Sequence, residues 1–351
     1  MEQARGLTFK RPVAPEPVSR REIARLLTDS YETQYPKSQA AAEGRALITI
    51  GALPAGTDLH KAVLEFGTSQ ILGFYDTETH RLVFQDNQGF SPLARFTLAH
   101  ELTHALQDQN FGLRRLDRLN RRCQDDRAEA FLSVIEGDAV VSQVQWARTI
   151  LSNDEIQEIQ REAARIPPPP GSVPKFVQDV FGFPYDAGQS FVQAILARGG
   201  FDALNEALRH PPVSTEQVLH PARYPKDVPQ DVRAPDVSGE LGKGWKAIDS
   251  SDVGEGFLRD MLRLDLPSSE AQRAAAGWDG GQYRAFGQGA HTAVLLVTVW
   301  DTERDAREFS QTMERWVNDR PANIVRDGAS VTVLFATDEA TLEALQEAVG
   351  S

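Results

Sequence analysis

The sequence predicts an α+β protein in two parts: a mainly helical part with a small β edge over residues 1–244, and a small α+β unit over residues 245–351. Three observations carry this. Residues 93–109 and 125–150 repeat apolar side chains at helical spacing, as in Leu98, Leu102, Ala105 and Leu106, then Phe131, Val134, Ile135, Ala139 and Val140. Residues 71–75 and 81–84 are short β-prone runs joined by the turn-rich Asp76-Thr-Glu-Thr-His80, which is a hairpin pattern. Beyond about residue 245, strand and helix patterns alternate over short lengths.

Taken in order, Ser19 caps a helix over residues 20–35 that carries Ile23, Leu26 and Leu27. Residues 45–53 alternate or run apolar, and residues 57–66 read as helix or loop. The hairpin follows, then a polar loop over residues 85–92 and the two long helices. A polar helix over residues 154–165 is stopped by Pro167-Pro-Pro-Pro170, a stiff spacer. Residues 191–208 are helical, with Gly199-Gly200 as an interruption. Residues 211–242 are Pro-rich loop, and residues 255–264 form a short helix. In the tail, residues 283–286 and 292–300 read as strands. A helix over residues 301–316 takes Asp301 or Thr302 as its cap. Residues 324–326 and 330–336 form a hairpin around Asp327-Gly328, and residues 339–348 close the chain as a helix. Trp278, Tyr283 and Trp300 are expected to be core aromatics.

At 351 residues the chain is long enough to bury a core without disulfides. Its 41% hydrophobic and 25% charged content argues against disorder. With 37 Lys+Arg against 50 Asp+Glu the net charge is −13, which counts against nucleic acid as a main partner. The single Cys123 forms no intrachain disulfide. No apolar stretch approaches the ~20 residues of a membrane span. As written, with no apolar leader after Met1, the chain is expected to be soluble and cytoplasmic; a missing upstream leader would make it exported. The sequence leaves the oligomeric state open.

The chemistry gathers at His100-Glu101-Leu102-Thr103-His104. On a helix, positions i and i+4 share a face, so both imidazoles can point at one ion. Glu101 lies about 100° around the helix, where it can reach a water on that ion without being a ligand. Two His and a third donor with one open position make a catalytic zinc site. The surrounding Leu98, Ala99, Leu102, Ala105 and Leu106 place these polar groups near a core, where burial without partners is costly.

For the third ligand the next helix offers Glu129 and Glu136. They share a face but stand about 10.5 Å apart along the axis, so one ion takes only one of them. Glu136 sits within the apolar stripe, and Gly137 beside it would let the two helices approach closely. Glu129 lies near the helix start, where a carboxylate complements the helix dipole. Glu136 is therefore the preferred ligand. Asp138, and less so Asp108, are candidate acceptors for a ligand imidazole; Asp138 reads equally well as an exposed carboxylate. His60, His80, His210 and His291 have no partner at metal spacing and read as surface or packing residues.

These residues resemble the gluzincin metallopeptidases, the thermolysin-like clan. The likeness lies in His100-Glu101-x-x-His104, in the downstream Glu136-Gly137 pair and in the hairpin before the motif helix. The chain also looks similar to several bacterial proteins assigned only in outline as zinc metalloproteases. That wider likeness takes in Gly73-Phe74-Tyr75-Asp76, residues 100–109 and 136–139, Phe183-Pro184-Tyr185, residues 214–221 and 277–283, and Trp300-Asp301. Some clan members carry an aspartate four residues after the third ligand. Here that position is Val140, and the Glu-Gly branch of the clan does without it.

The resemblance implies a zincin-type domain, a zinc ion (Zn2+) on His100, His104 and Glu136, and hydrolysis of a peptide or protein substrate with Glu101 as general base. The hairpin would pair with an extended peptide. A Tyr or His would stabilise the oxyanion, and Tyr185 and His220 are the two candidates, unranked. Tyr185 is expected to open the helix that follows the proline spacer. The alternative is a catalytically silent scaffold that binds peptides or a protein partner. An intact Glu101 speaks against it.

Overall fold

In the computed structural model, which describes residues 1–86 and 89–350, helix starts follow from their caps. Ser19 accepts from the Glu22 N–H at 3.2 Å and starts α2 (Arg20–Gln34). Ser91 does the same for α5 (Pro92–Phe111), where Pro92 costs nothing because an N–H there has no helical partner. Ser152 and Glu155 close a capping box on α8 (Asn153–Ala163), and Thr302 caps α13 (Glu303–Val317). Part of the polar loop over residues 85–92 falls on Asn87 and Gln88, outside the described residues.

The remaining helices are α1 (Glu2–Arg5), α3 (Lys37–Ile50), α4 (Leu59–Gln70), α6 (Arg115–Asn120), α7 (Asp125–Ile150), α9 (Lys175–Arg209), α10 (Thr215–Leu219), α11 (Glu255–Leu262), α12 (Ser268–Ala275) and α14 (Glu339–Gly350). A three-stranded sheet has the order β1-β3-β2, from β1 (Pro15–Val18), β2 (Gly73–Tyr75) and β3 (Leu82–Gln85). Strands β2 and β3 form the expected antiparallel hairpin, and β1 joins β3 in parallel. A five-stranded antiparallel sheet has the order β4-β5-β6-β8-β7. Its strands are β4 (Lys246–Asp252), β5 (Trp278–Gln288), β6 (His291–Trp300), β7 (Ala322–Asp327) and β8 (Ser330–Ala336). The molecule is thus α+β. No helix among the described residues is long and apolar enough to cross a membrane.

Four differences from the sequence reading have physical causes. The apolar run over residues 45–53 belongs largely to α3, whose buried Ala46, Leu47 and Ile50 pack into the core beneath the large sheet. Packing there overrides the strand preference of Ile and Thr. Helix α9 begins at Lys175, so Tyr185 stands in its interior beside Pro184 instead of opening it. The interruption at Gly199-Gly200 is where expected, with Gly200 at φ +60°. Strand β1 was hidden by Pro15 and Pro17, which an edge strand tolerates. Strand β4 reads as polar because it too is an edge.

One apolar core runs from α3, α4 and the start of α9 into one face of the large sheet, under α11, α12 and α13. Trp278, Tyr283 and Trp300 lie in it. Helix α14 and Ala234 and Val237 cover the other face. A second core joins α7 to α9 and α10, and a small one joins β3 to α5. Helices α5, α7 and α9 thus stand side by side, with β2 along one flank of α5.

Candidate metal centre

His100 and His104 project from α5 with ring centroids 4.7 Å apart and planes at 86°. Helix α7 brings Glu136 to them. Its Oε2 lies 3.1 Å from His100 Nε2 and 3.5 Å from His104 Nε2. One ligand atom from each residue falls within 4.8 Å of the other two, a group that could hold a metal ion. For zinc bound at about 2.0–2.1 Å, donors at tetrahedral positions stand about 3.3 Å apart. The two Glu136 separations bracket that value, and two imidazole nitrogens with a carboxylate oxygen are the donors a hydrolytic zinc takes. The residues fit the ion.

Electrostatics point the same way. Burial opposes a charge on Glu136, but His104 and hydrogen bonds from both imidazoles hold its carboxyl well below the usual range. Burial likewise opposes a charge on His104, yet Glu136 carries its imidazole up to about 9. The anionic carboxylate is balanced by the proton on His104, whose place a metal ion would take. Glu101, 6% exposed, is pushed upward by burial, against the pull of both imidazoles, and the Tyr75 backbone N–H bonds to it.

Two close approaches build this geometry. A Cβ on Gly73 of β2 would stand 3.0 Å from Glu101 Cγ and from Thr97 Cγ2, so any larger residue would make Glu101 or Thr97 shift for the strand to lie this near α5. A Cβ on Gly137 would stand 2.2 Å from the Gly188 carbonyl oxygen, and one on Gly188 would stand 2.0 Å from that of Ser133. Gly137 therefore brings α7 against α9, and not against α5 as its place beside Glu136 implied. That contact sets Tyr185 over the histidines, its ring stacked on His100 at 6.3 Å and 21°. The charge of Glu136 above all, with partial desolvation, the charge of Glu101 and a hydrogen bond to Glu136, pushes the Tyr185 phenol well above its ordinary value, although the side chain is 44% exposed.

The other candidates are placed as follows. His220 caps the C-terminus of α10 and bonds through Nε2 to Glu255 Oε1 at 2.9 Å. No hydrogen bond or ion pair among the described residues joins it to the trio. Glu129 is pushed well above the ordinary carboxyl value, by burial and by Asp260 and Asp126, in surroundings away from the trio. Asp108 accepts from Tyr75 Oη at 3.0 Å and pairs with His80 at 3.2 Å, so it ties the hairpin to α5 and holds neither ligand imidazole. Asp138 is fully buried, not exposed, and reaches His104 only through Gln107. His60 packs on Tyr31, while His210 pairs with Glu206 and His291 with Asp338.

Sequence reasoning missed Gln107, whose Oε1 lies 3.0 Å from His104 Nδ1. Its position three residues after His104 on the same helix face was the available signal. It also missed Arg5, which no local pattern connects to the motif.

Residues 243–346 match the family model of a domain of unknown function (DUF8575). The match covers the large sheet and its helices, less than half of the chain, and leaves α5 and α7 outside it. No curated protein and no solved structure matches the chain.

Proposed function

We propose that the protein is a zinc-dependent peptidase of the gluzincin type, with His100, His104 and Glu136 holding the ion. The convergence of these three donors from two helices, with Glu101 beside them and Tyr185 above, carries the reading. Zinc held there supplies a Lewis acid and lowers the pKa of water.

The chain's own residues do the rest. Glu101 takes a proton from the attacking water and later delivers it to the leaving amine. Burial raises its proton affinity, which suits a group that must hold the proton between those steps. Tyr185 stays protonated at any physiological pH, so its hydroxyl can donate to the oxyanion that develops at the scissile carbonyl. Strand β2 is an edge of its sheet and can align an extended peptide beside Glu101 through outward backbone groups other than the Tyr75 N–H, which Glu101 takes. Tyr185 lies against His100 and Glu136, whereas His220 pairs with Glu255 and has no hydrogen bond or ion pair to the trio among the described residues, so the oxyanion role is assigned to Tyr185.

The test is cleavage of a broad peptide library by zinc-loaded protein, read by mass spectrometry. Cleavage that a chelator stops, and that Glu101→Gln abolishes while keeping zinc, supports the reading. No cleavage anywhere in the library would favour a silent peptide-binding scaffold.

A further inference from the structure

Arg5 is 0% exposed, as is the Asp138 carboxylate with which it pairs at 2.6 Å. Arg5 Nε meets Asp138 as an ion pair and Nη1 has no hydrogen-bond partner among the described residues, whereas the groups beyond the carboxylate have fixed roles. Asp138 is an acceptor only. Its Oδ1 takes a hydrogen bond from Ser142 Oγ at 3.0 Å, and its Oδ2 takes one from Gln107 Nε2 at 2.9 Å. The Gln107 amide gives its other N–H to the Ile135 carbonyl, also at 2.9 Å. Both amide hydrogens are thus spent on groups that cannot donate. A flipped amide would set its oxygen against a carboxylate and a carbonyl, so the orientation is forced. Gln107 Oε1 must then face His104, and at 3.0 Å it accepts the proton on Nδ1. That leaves Nε2 as the nitrogen that faces Glu136, 3.5 Å away, and the one whose lone pair would be free for an ion once its own proton is displaced.

We propose that Arg5 is a positioning residue for the metal centre: through Asp138 and Gln107 it fixes His104 in the tautomer that offers Nε2 as a ligand. The inference rests on reading the trio as a metal site. Arg5 is itself clamped, since its guanidinium lies 4.8 Å from the Phe201 ring centroid and its Nη2 donates to Asn205 Oδ1 at 2.9 Å. Both partners belong to α9 beyond the Gly199-Gly200 interruption. Helix α1 is therefore held between the helix that carries Glu136 and the helix that carries Tyr185. Without Arg5, Asp138 is a buried anion with no counter-charge, and the acceptors that pin the Gln107 amide lose their support. Groups that orient a ligand imidazole typically change metal affinity 10–100-fold, roughly, when removed.

The experiment measures zinc affinity by chelator competition for the wild type, Arg5→Met, Arg5→Lys, Gln107→Met and the double variant Arg5→Met/Gln107→Met. Unfolding of each metal-free protein is followed in parallel. Arg5→Met is expected to weaken zinc about 10–100-fold, Arg5→Lys to recover part of that loss, and Gln107→Met to weaken zinc about tenfold. In the Gln107→Met background, Arg5→Met should cost no further affinity, because the path it acts through is gone. A merely structural role would lower metal-free stability and leave the affinities additive. If Arg5→Met fails to fold, Gln107→Met alone decides, and unchanged zinc affinity there overturns the proposal. Wild-type affinity in Arg5→Met, or a full additional loss in the double variant, overturns it as well. Wild-type protein that takes up no zinc overturns the metal-site reading and this inference together, a result distinct from the others.

Discussion

The middle and the N-terminal end of α7 bury carboxylates in opposite ways. In mid-helix, Glu136 meets two imidazoles and is held well below its ordinary range. At the N-terminus, Asp125 and Asp126 meet other acids. Burial pushes Asp125 to about 6 and Asp126 to about 7, with Asp252 of β4 adding to both shifts. Glu43 of α3 joins this seam and is raised to about 8 by burial and by Asp125. Tyr35 donates to Glu43 and Tyr283 to Asp249. The partners, not the carboxylates, therefore decide what each stretch can do. The acids of the seam hold their protons more tightly than free carboxyls do, and hydroxyl and backbone donors hydrogen-bond to them. The trio joins an anionic carboxylate to two imidazoles that hydrogen-bond to it, and a metal ion would take the place of their protons. Among the described residues the trio alone meets the spacing of a metal site.

The sharpest way to break this contrast is to remove carboxylates from each stretch in turn. Glu136→Ala is expected to take the protein from stoichiometric zinc to none by metal analysis, while Asp126→Asn and Glu129→Gln keep it. Zinc lost from Glu129→Gln and kept by Glu136→Ala would reverse the assignment. Next in size is Glu101→Gln, which should retain zinc and lower kcat about 10²–10⁴-fold, the range for a general base. Tyr185→Phe should lower kcat about 10²-fold with KM less affected, as for one lost oxyanion donor. An unchanged kcat would remove Tyr185 from the chemistry.

His220→Ala tests the other candidate. It should leave zinc and kcat unchanged and destabilise the fold by about 1–3 kcal/mol, because Glu255, 1% exposed, loses its partner. A drop in kcat at unchanged stability would return His220 to the site. The smallest effect concerns the seam and pH. A carboxyl whose folded value is raised binds its proton more tightly in the folded state, so stability falls as pH rises. For Glu43 the fall runs from about 4.5 up to about 8. Denaturant unfolding between these limits should show the wild type weakening and Glu43→Gln weakening less. An equal slope in both would show that Glu43 is already charged.

Much of this was legible from local pattern. The motif helix, the Glu136 helix, the hairpin and the closing strand–helix alternation are periodic over one element each, so the sequence displays them directly. Glu136 could be preferred over Glu129 because an acid inside an apolar stripe needs a partner. What the sequence hid depends on contacts between distant segments. Gly137 faces Gly188 rather than the motif helix, and that close approach sets the height of Tyr185 over His100. The proline-containing α9 conceals its own continuity through residue 184. Arg5 reaches Asp138 from a helix of one turn, and β4 is a strand by its pairing to β5 and not by its composition.

All of these outcomes depend on whether an ion sits where the donors converge. The direct measurement is anomalous diffraction at the zinc edge from crystals of the zinc-loaded protein. The account predicts one strong peak between His100 Nε2, His104 Nε2 and Glu136 Oε2, and none at the acidic seam. A zinc-loaded crystal with no peak at the trio, or with its peak among Glu43, Asp125 and Asp252, would contradict it.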